Sequence, residues 1–328
     1  MVSVIIITYQ RTQYITRAIN SVLNQTYKDF ELIVVDDNNP KTRYREEMEN
    51  IMLQYKNKEN VKYIQHDCNK NGAAARNTGI FASQGKYIAF LDDDDYFLPK
   101  RLEELTKLLD KNASYKGVYS SVIVTQNKKI IGLVEAKRSG NMKKELLLDQ
   151  FAFGTGSNLF FRSDVVKGMN GFDTSFRRHQ DIEFMLRYFN DNELIACYSP
   201  TVIKVQDDRS NEADLDKIIN IKKNYFKVFA HEIEKLNSRE KNIFYNINLS
   251  QILTTAICAK KYNRFMKLKV ALDEYIDFNT RSYFRFFLLF INNYIKIENI
   301  KYFFVRKRVN KKFKDEVRMI KLIEKTGL

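Results

Sequence analysis

Apolar and polar positions follow two different rhythms along the first third of the chain. Short runs rich in β-branched residues predict strands, and stretches with apolar side chains three and four positions apart predict helices. The predicted strands are Val2–Thr8, Phe30–Val35, Val61–His66 and Tyr87–Leu91. The predicted helices are Tyr14–Asn24, Arg45–Tyr55, Ala73–Ser83 and one that Pro99 opens and that runs through Leu109. This repeated order predicts an α/β fold with a mainly parallel central sheet and flanking helices.

The pattern changes in the rest of the chain. Further elements are predicted as strands at Val118–Thr125, Ile130–Glu135 and Asn158–Arg162, and as a helix at Asp181–Phe189. After about residue 210 the strand pattern stops, and from Leu215 onward the spacing of apolar and aromatic residues is helical. We therefore predict an α/β domain over residues 1–210, followed by a mostly α-helical region over residues 211–328.

The positive charge of the chain is concentrated in that helical region. Of the formal net charge of +15 at pH 7, residues 221–328 contribute +14, with 24 Lys and Arg against 10 Asp and Glu. Residues 1–220 are close to neutral, with 31 basic and 30 acidic side chains. The polar stretch Asp207–Asp214 lies where the two parts meet, so the domain junction is expected there.

Three further features indicate the cellular compartment of the protein. The three cysteines, Cys68, Cys197 and Cys258, are far apart and form no CxxC pair, which favours a reducing cytosol over a zinc or redox site. The first strand-like run begins at Val2, so no secretory signal is expected. The longest strongly apolar stretch, Phe286–Ile291, is far shorter than the roughly 20 residues of a membrane-spanning helix. These features predict a cytoplasmic protein.

Two of the predicted strands end in acidic residues. The second strand runs into Asp36 and Asp37, and the fourth runs into Asp92–Asp95. In an open α/β sheet, ligands bind beyond the carboxyl ends of the strands, so these carboxylates belong to the candidate site. Four adjacent carboxylates repel one another unless a cation neutralises them, and such oxygen ligands suit Mg²⁺ or Mn²⁺. A helix-capping role for the last two aspartates is the alternative, and it requires only one of them.

Four segments form an ordered set of motifs. They are Thr8–Arg11, Val35–Asp37, Asn71–Gly72 with Ala75–Gly79, and Leu91–Asp95. This set resembles glycosyltransferase family 2. The resemblance implies the GT-A fold, with a nucleotide-sugar half over residues 1–100 and an acceptor half over residues 101–210. It also implies an inverting enzyme that transfers a sugar from a nucleotide diphosphate, in particular UDP, to a hydroxyl of a bacterial surface glycan.

The resemblance implies a donor site at the ends of the first strands. The implied nucleotide-sugar-binding residues are Thr8, Tyr9, Arg11, Asp37, Arg76, Asp92 and Asp93. Of these, Asp37 would contact the uracil, and Arg76 the base or phosphate side. Asp94 would coordinate a Mn²⁺ or Mg²⁺ ion that bridges the diphosphate, and Asp92 would reach the ribose, or the metal through water. The alternatives are a core aromatic role for Tyr9 and a surface salt bridge for Arg76.

The second half resembles the family more loosely. Gly154–Asn158 resembles the acceptor-side loop, and Gly171–Asp173 resembles the family's GFD segment. An acidic pair at the start of the next helix usually supplies the catalytic base from its second residue, which is Asp181 here. Gln180 stands where Glu is common. The implied acceptor-side residues are Gly156, Ser157, His179 and Gln180.

Asp181 has the chemistry that the implied reaction requires. An acceptor hydroxyl must lose a proton as it attacks the anomeric carbon, and a carboxylate within hydrogen-bond reach can take that proton. The alternative is that Asp181 only complements the dipole at the helix N-terminus. The three histidines, at positions 66, 179 and 231, have no metal-ligand spacing.

Three other classes of protein share some of these features. A sugar nucleotidyltransferase also needs a nucleotide site and acidic ligands, but it leads with a Gly-rich phosphate loop, and Ile5–Arg11 contains no glycine. A dinucleotide oxidoreductase lacks support because no GxGxxG follows the first strand. A nucleic-acid binder would explain the basic, aromatic tail, but the first 220 residues are nearly neutral. We therefore predict no nucleic-acid partner.

The tail combines basic residues with an aromatic cluster. The rings are Tyr283, Phe284, Phe286, Phe287, Phe290, Tyr294, Tyr302, Phe303 and Phe304, and the densest charges are Arg306, Lys307, Arg308, Lys311, Lys312 and Lys314. Anionic lipid headgroups attract basic segments, and rings can enter the interface without spanning it. We predict peripheral docking at the inner face of the cytoplasmic membrane, where a lipid-linked acceptor resides. The alternative is that the rings pack the helices together or form a homo-oligomer, while the lysines are solvated.

Overall fold

The computed structural model describes residues 1–206, 215–258, 305 and 308–326. Its strands are β1 (Val2–Thr8), β2 (Phe30–Asp36), β3 (Val61–Gln65), β4 (Tyr87–Asp92), β5 (Tyr96–Phe97), β6 (Gly117–Gln126), β7 (Lys129–Val134), β8 (Phe160–Arg162) and β9 (Leu194–Val205). Its helices are α1 (Thr12–Leu23), α2 (Arg43–Leu53), α3 (Gly72–Ala82), α4 (Arg101–Lys111), α5 (Lys143–Leu147), α6 (Ser163–Gly168), α7 (Gln180–Tyr188), α8 (Leu215–Val228), α9 (Ala230–Glu234), α10 (Ser238–Cys258) and α11 (Lys314–Thr326). Within these ranges, no helix has both the length and the apolar character that a membrane span requires.

The strands form one sheet in the order β3-β2-β1-β4-β8-β6-β9-β5, and β7 pairs with β6. The first four strands of this order are parallel, as the strand–helix rhythm predicts. Beyond β4 the sheet is mixed, because β8 is antiparallel to both β4 and β6 while β6 and β9 are parallel. The predicted class, an α/β sheet with flanking helices followed by a helical region, is confirmed. The carboxyl ends of β1, β2 and β4 lie side by side.

Every strand and helix that the sequence predicts up to Phe189 is present, with ends displaced by two residues or fewer. No pattern predicts β9, which pairs with β6 and β5. The middle of β9 contains Ser199 and Pro200, and its register with β6 shifts there. Proline gives no backbone donor and interrupts the alternation that marks a strand, which explains the missed element.

Helix α3 approaches β1 very closely, and this approach positions the candidate site. A Cβ on Gly79 of α3 would come within 2.4 Å of the Ile5 side chain. The absence of a side chain at Gly79 therefore lets the helix backbone lie directly on the strand. On the other face of β1, Val4 and Ile6 are buried in the main core together with Ile19 of α1.

The chain divides into two compact units that are not contiguous in sequence. The first contains residues 1–143, 152–206 and 304–328, and the second contains residues 144–151 and 207–303. Two segments therefore depart from the predicted division at residues 210 and 211. Helix α11 belongs to the first unit, and residues 144–151 belong to the second. In the second unit, helices α8 and α10 pack through aromatic rings, including Tyr225 and Phe244.

Candidate active site

The last residue of β4 and the turn after it carry the four aspartates, called the acidic loop here, and two of them are partly exposed and paired with arginines. Arg76 Nη2 donates to Asp92 Oδ1 at 2.7 Å, and Arg11 Nη1 forms an ion pair with Asp94 Oδ2. Burial and the charge of Asp92 raise the pKa of Asp94, and the positive charge of Arg11 opposes this shift. The loop therefore presents two carboxylates beside two guanidinium groups.

Asp93 and Thr8 form a buried pair that joins β1 to this loop. Thr8 Oγ1 donates to Asp93 Oδ2 at 2.8 Å, and both side chains are almost inaccessible to solvent. Burial, together with the charge of Asp94, raises the pKa of Asp93 to about 8. Contact of these two side chains with a donor stays a prediction. The ring of Tyr9, which follows Thr8, is 41% exposed.

Asp95 connects the acidic loop to the predicted acceptor loop. Thr155 Oγ1 and Ser157 Oγ donate to Asp95 Oδ2 at 2.9 and 2.7 Å, and Val205 N donates to Oδ1 at 3.0 Å. Asp92 N donates to Ser157 Oγ at 3.0 Å. Burial, with the charges of the two partly exposed aspartates, raises the pKa of Asp95 to about 7. Ser157 is completely buried, so its side chain fixes the two loops against each other.

Arg76 bridges the acidic loop and helix α7. While Nη2 binds Asp92, Nη1 donates to Gln180 Oε1 at 2.8 Å. The guanidinium carbon lies 5.5 Å from the centroid of the Phe172 ring. Gly156 borders the same group, because a Cβ there would lie 3.8 Å from Nη2 of Arg76. Residues from both predicted halves therefore meet at one guanidinium.

Asp181 lies in the first turn of α7, within electrostatic reach of this arginine. Its Oδ1 accepts a hydrogen bond from Ile182 N at 3.0 Å. Burial raises the pKa of Asp181, the charge of Arg76 opposes the shift, and the charge of Asp92 adds to it. His179 precedes the helix in the left-handed conformation, with φ at 59°, and its side chain does not cap the helix. The site thus contains a carboxylate whose pKa is raised, which makes it a stronger proton acceptor than an ordinary aspartate.

The carboxylate of Asp37 is buried and held by protein donors. His66 Nδ1 lies 2.7 Å from Oδ1, which also accepts from Lys70 N at 2.8 Å. The other oxygen accepts from Asn69 Nδ2 at 2.8 Å and from Asn71 N at 3.1 Å. These bonds shape the loop that leads to α3, where the Asn71 side chain caps the helix. The implied contact of Asp37 with uracil stays a prediction, and this carboxylate has an internal role besides it.

Asn77 fastens the GFD segment to helix α3, a contact that the sequence motifs do not reveal. Asn77 Nδ2 donates to Phe172 O at 2.8 Å, and Phe172 N donates to Asn77 Oδ1 at 2.7 Å. Gly171 has φ at +67°, and a Cβ there would come within 2.3 Å of Asn77 Oδ1. The two partners are 95 residues apart, so no local pattern could have paired them.

Asn77→Ala is expected to lower the free energy of unfolding by about 1–3 kcal/mol, because it leaves the N–H and the C=O of Phe172 without partners. Urea denaturation measures this loss. The control is Asn112→Ala, whose side-chain amide bonds only to Leu108 O of its own helix. If both variants lost the same free energy of unfolding, the two hydrogen bonds between Asn77 and Phe172 would contribute no more than a local helix-end bond.

The partly exposed aspartates suit a divalent cation. The side chains of Asp92 and Asp94 are 30% and 19% exposed, and each binds an arginine through one oxygen. Magnesium-type sites often use one or two carboxylates, with water and substrate phosphates as the other ligands. Among the described residues, no group of three or more His, Cys, Asp or Glu side chains could hold a metal. These two carboxylates therefore fit a cation that the donor's diphosphate completes, rather than an all-protein metal centre.

The fold and the site together define a class of protein. A parallel half-sheet with an acidic loop at its carboxyl edge, two arginines beside that loop and a carboxylate at a facing helix are the features of an α/β protein with a ligand site at the carboxyl edge of its sheet. The model of glycosyl transferase family 2 matches residues 3–169, and the chain belongs to this family.

Named relatives carry the same description. A Methanocaldococcus jannaschii protein, described as an uncharacterized glycosyltransferase, is 31% identical over 201 residues, which cover 57% of this chain and 64% of that protein. The Escherichia coli protein WfgD, named UDP-Glc:alpha-D-GlcNAc-diphosphoundecaprenol beta-1,3-glucosyltransferase, is 29% identical over 198 residues, or 60% of this chain and 72% of WfgD. The chain spans less than two thirds of the length of the first of these relatives.

A solved structure shares the architecture. The crystal structure of S. aureus TarS 1-349 in complex with UDP-GlcNAc matches 77% of this chain and 81% of that chain, with a TM-score of 0.51 and 16% identity. At this identity the likeness shows the fold alone. It agrees with the GT-A-type fold that the motifs imply.

Proposed function

We propose that this chain is an inverting glycosyltransferase that moves a sugar from a UDP-sugar to a hydroxyl of a glycan acceptor by metal-assisted direct displacement. The observation that carries the proposal is the Arg76 bridge, which joins Asp92 of the acidic loop to Gln180, the neighbour of Asp181. Direct displacement needs a leaving-group site and a base around one sugar. The bridge brings candidates for both together, and membership of family 2 supports the reaction class.

On the donor side, we assign the base and ribose to the ends of β1 and β2, where Tyr9 offers an exposed ring. Arg11 and Arg76 form ion pairs with Asp94 and Asp92 of the acidic loop, so they are assigned to the diphosphate. A Mn²⁺ or Mg²⁺ ion, held by Asp94 with Asp92 nearby, would stabilise the negative charge of the departing diphosphate. The arginines contribute to the same electrostatic stabilisation.

On the acceptor side, Asp181 takes the proton of the acceptor hydroxyl. The hydroxyl oxygen then forms the new bond to the anomeric carbon while the bond from that carbon to the UDP oxygen breaks. The attack comes from the face opposite UDP, so the configuration inverts and no covalent sugar intermediate forms. Gln180, which accepts a hydrogen bond from Arg76, and Gly156, which borders the same guanidinium, flank this position, and His179 precedes it at the start of α7.

The acceptor is assigned as a glycan or lipid-linked glycan of the cell surface, such as a precursor of capsule, O-antigen or teichoic acid. The name of the relative WfgD, which specifies a sugar on diphosphoundecaprenol as acceptor, supports this class. The transferred sugar is assigned as a hexose or an N-acetylhexosamine, and the UDP-Glc in the name of WfgD supports a hexose. The reaction is assigned to the cytoplasm, where nucleotide sugars are made.

A sugar nucleotidyltransferase is the competing function within enzymes. It would share the acidic loop, but it would bind the triphosphate of its substrate with a Gly-rich loop after β1. The segment Ile5–Arg11 has no glycine, and β1 is followed instead by the exposed Tyr9 and by Arg11. The glycosyltransferase is therefore favoured over the nucleotidyltransferase.

The test is a screen of nucleotide sugars for release of the nucleotide in the presence of Mn²⁺. We expect release of UDP from one UDP-sugar well above the others, and little from GDP- or CDP-sugars. UDP with Mn²⁺ at ~100 times its Kd should also stabilise the fold by about 2.7 kcal/mol, which thermal unfolding detects. Protection by a single-stranded oligonucleotide but by no nucleotide would contradict the proposal and favour a nucleic-acid binder.

A further inference from the structure

The C-terminal helical segment, residues 308–326, has one apolar face that is buried in the protein. Its buried apolar residues are Val309, Phe313, Val317, Ile320 and Ile323. They share one buried cluster with Tyr96, Ile123 and Ile203, which belong to the sheet of the first unit. This face of the segment therefore packs against the α/β unit. Its apolar side chains are buried there and are not available to insert into a membrane.

The opposite face is a basic stripe, which we define as Lys311, Lys314, Arg318 and Lys321. All four side chains are exposed. Lys314, Arg318 and Lys321, four and three residues apart, lie along one side of α11, and Lys311 lies just before that helix. Leu322, beside the stripe, is 51% exposed. Residues 305–328 contain nine basic and three acidic side chains, whereas the first 220 residues are nearly neutral, so the stripe is a strong local concentration of positive charge.

Two neighbouring basic residues do not belong to the stripe. Arg308 and Lys312 both form ion pairs with Glu135, which follows β7. Lys312, and to a smaller extent Arg308, hold the pKa of Glu135 below its ordinary value. These two residues therefore tie the segment to the α/β unit, and their part in membrane docking stays a prediction. Arg306 and Lys307, which share that prediction, lie outside the described residues.

The segment packs against the residues that directly follow the acidic loop. Tyr96 and Leu98, which follow the four aspartates directly, belong to the same buried cluster as the segment. Val205 packs against this cluster, and its N–H donates to Asp95 Oδ1 at 3.0 Å. The segment that carries the basic stripe is therefore packed against residues that adjoin the acidic loop.

We propose that the basic stripe docks the protein on an anionic lipid bilayer. A bilayer with acidic headgroups has the complementary charge, and it attracts Lys and Arg side chains that face it. Docking by this stripe is peripheral and electrostatic, because the apolar face of the segment is buried in the protein. A nucleic acid fits less well, since the stripe has an exposed leucine beside it, and Phe313, the aromatic residue within 308–326, is buried, so this segment offers no ring for bases to stack on. The proposal concerns a surface and does not depend on the reaction proposed above.

The test is co-sedimentation of the full chain with vesicles of phosphatidylcholine, with and without phosphatidylglycerol. We expect binding only to the anionic vesicles, and loss of binding at ~0.5 M NaCl, where the Debye length is only a few ångström. The variant in which Lys311, Lys314, Arg318 and Lys321 become Ser should bind at least about tenfold more weakly. The matched control removes the same charge from four other exposed lysines, Lys56, Lys58, Lys107 and Lys111, and should bind like the unmodified chain.

Because the stripe is exposed, the Ser variant should keep its thermal unfolding temperature and its release of UDP from a soluble donor. Equal loss of vesicle binding in the variant and in the lysine control would overturn the proposal, since only total charge would then matter. Unchanged binding of the stripe variant, or equal binding of the unmodified chain to neutral vesicles, would overturn it as well. So would a stripe-dependent affinity for an oligonucleotide, or stripe-dependent self-association by light scattering, without vesicle binding.

Discussion

Asp181→Asn is expected to lower kcat by about 10²–10⁴-fold while leaving the affinity for UDP unchanged. The substitution keeps the size of the side chain and an oxygen for the Ile182 N–H, but it removes the proton acceptor. Steady-state kinetics with the preferred donor and acceptor give kcat, and calorimetry gives the affinity for UDP. Asp191→Asn is the matched control, because Asp191 is an exposed carboxylate just beyond the other end of α7.

The pH dependence of the unmodified enzyme tests the same assignment. A general base acts only in its ionised form, so activity is lost as the pH falls through the pKa of that base. Burial raises the pKa of Asp181 above its ordinary value of 3.8, so the acidic limb of kcat/KM should lie above that value. The residual activity of Asp181→Asn should lack this limb. A variant with normal kcat but weak UDP binding would place Asp181 in the donor site and refute its role as the base.

Asp94→Ala is expected to lower turnover by about 10³-fold, since a cation that stabilises a departing diphosphate contributes several kcal/mol. The substitution also releases Arg11, which pairs with Asp94 and could then bind UDP without a metal. The decisive measurement is therefore the gain in UDP affinity when Mn²⁺ is added. We expect this gain in the unmodified enzyme and its loss in Asp94→Ala.

Two controls accompany this measurement. Asp164→Ala removes an exposed carboxylate at the start of α6 and should keep both turnover and the Mn²⁺ effect. Asp92→Ala should have a smaller effect than Asp94→Ala if Asp92 contacts the ribose or a bound water, although it also releases Arg76. Excess EDTA should reproduce the loss in the unmodified enzyme. Full activity in EDTA would show that the acidic loop acts without a metal.

The structure changes the reason for expecting a cation at the acidic loop. From the sequence, four adjacent carboxylates repel one another and call for an external positive charge. In the fold, Asp93 and Asp95 are buried, and this burial raises the pKa of both carboxyls, which makes the uncharged form more favourable than at an exposed aspartate. The other two aspartates face Arg76 and Arg11. The protein thus offsets much of the repulsion itself, and the case for a metal rests on the exposure of Asp92 and Asp94.

The sequence by itself determined the elements of the α/β part and the family. The longer strands and helices between β1 and α7 follow from the period of apolar residues, which is a local property of the chain, whereas the short elements β5, α5 and α6 were not predicted. The acidic residues after β2 and β4 are equally local, and so are the motifs that resemble family 2. Strand β9 was not predicted, because Pro200 interrupts the alternating pattern that would have indicated a strand.

Only the tertiary structure decided which of these motifs meet. Arg76 and Gln180 are 104 residues apart, and their contact depends on the order of strands in the sheet, which local periodicity does not encode. The same holds for the C-terminal segment, whose spacing shows an apolar face but not what covers it. Burial of apolar surface is favourable wherever a complementary surface exists, because the hydrophobic effect has no direction. Packing of Phe313 and Val317 beside Tyr96 is therefore a property of the folded chain, and so is the outward orientation of the basic stripe.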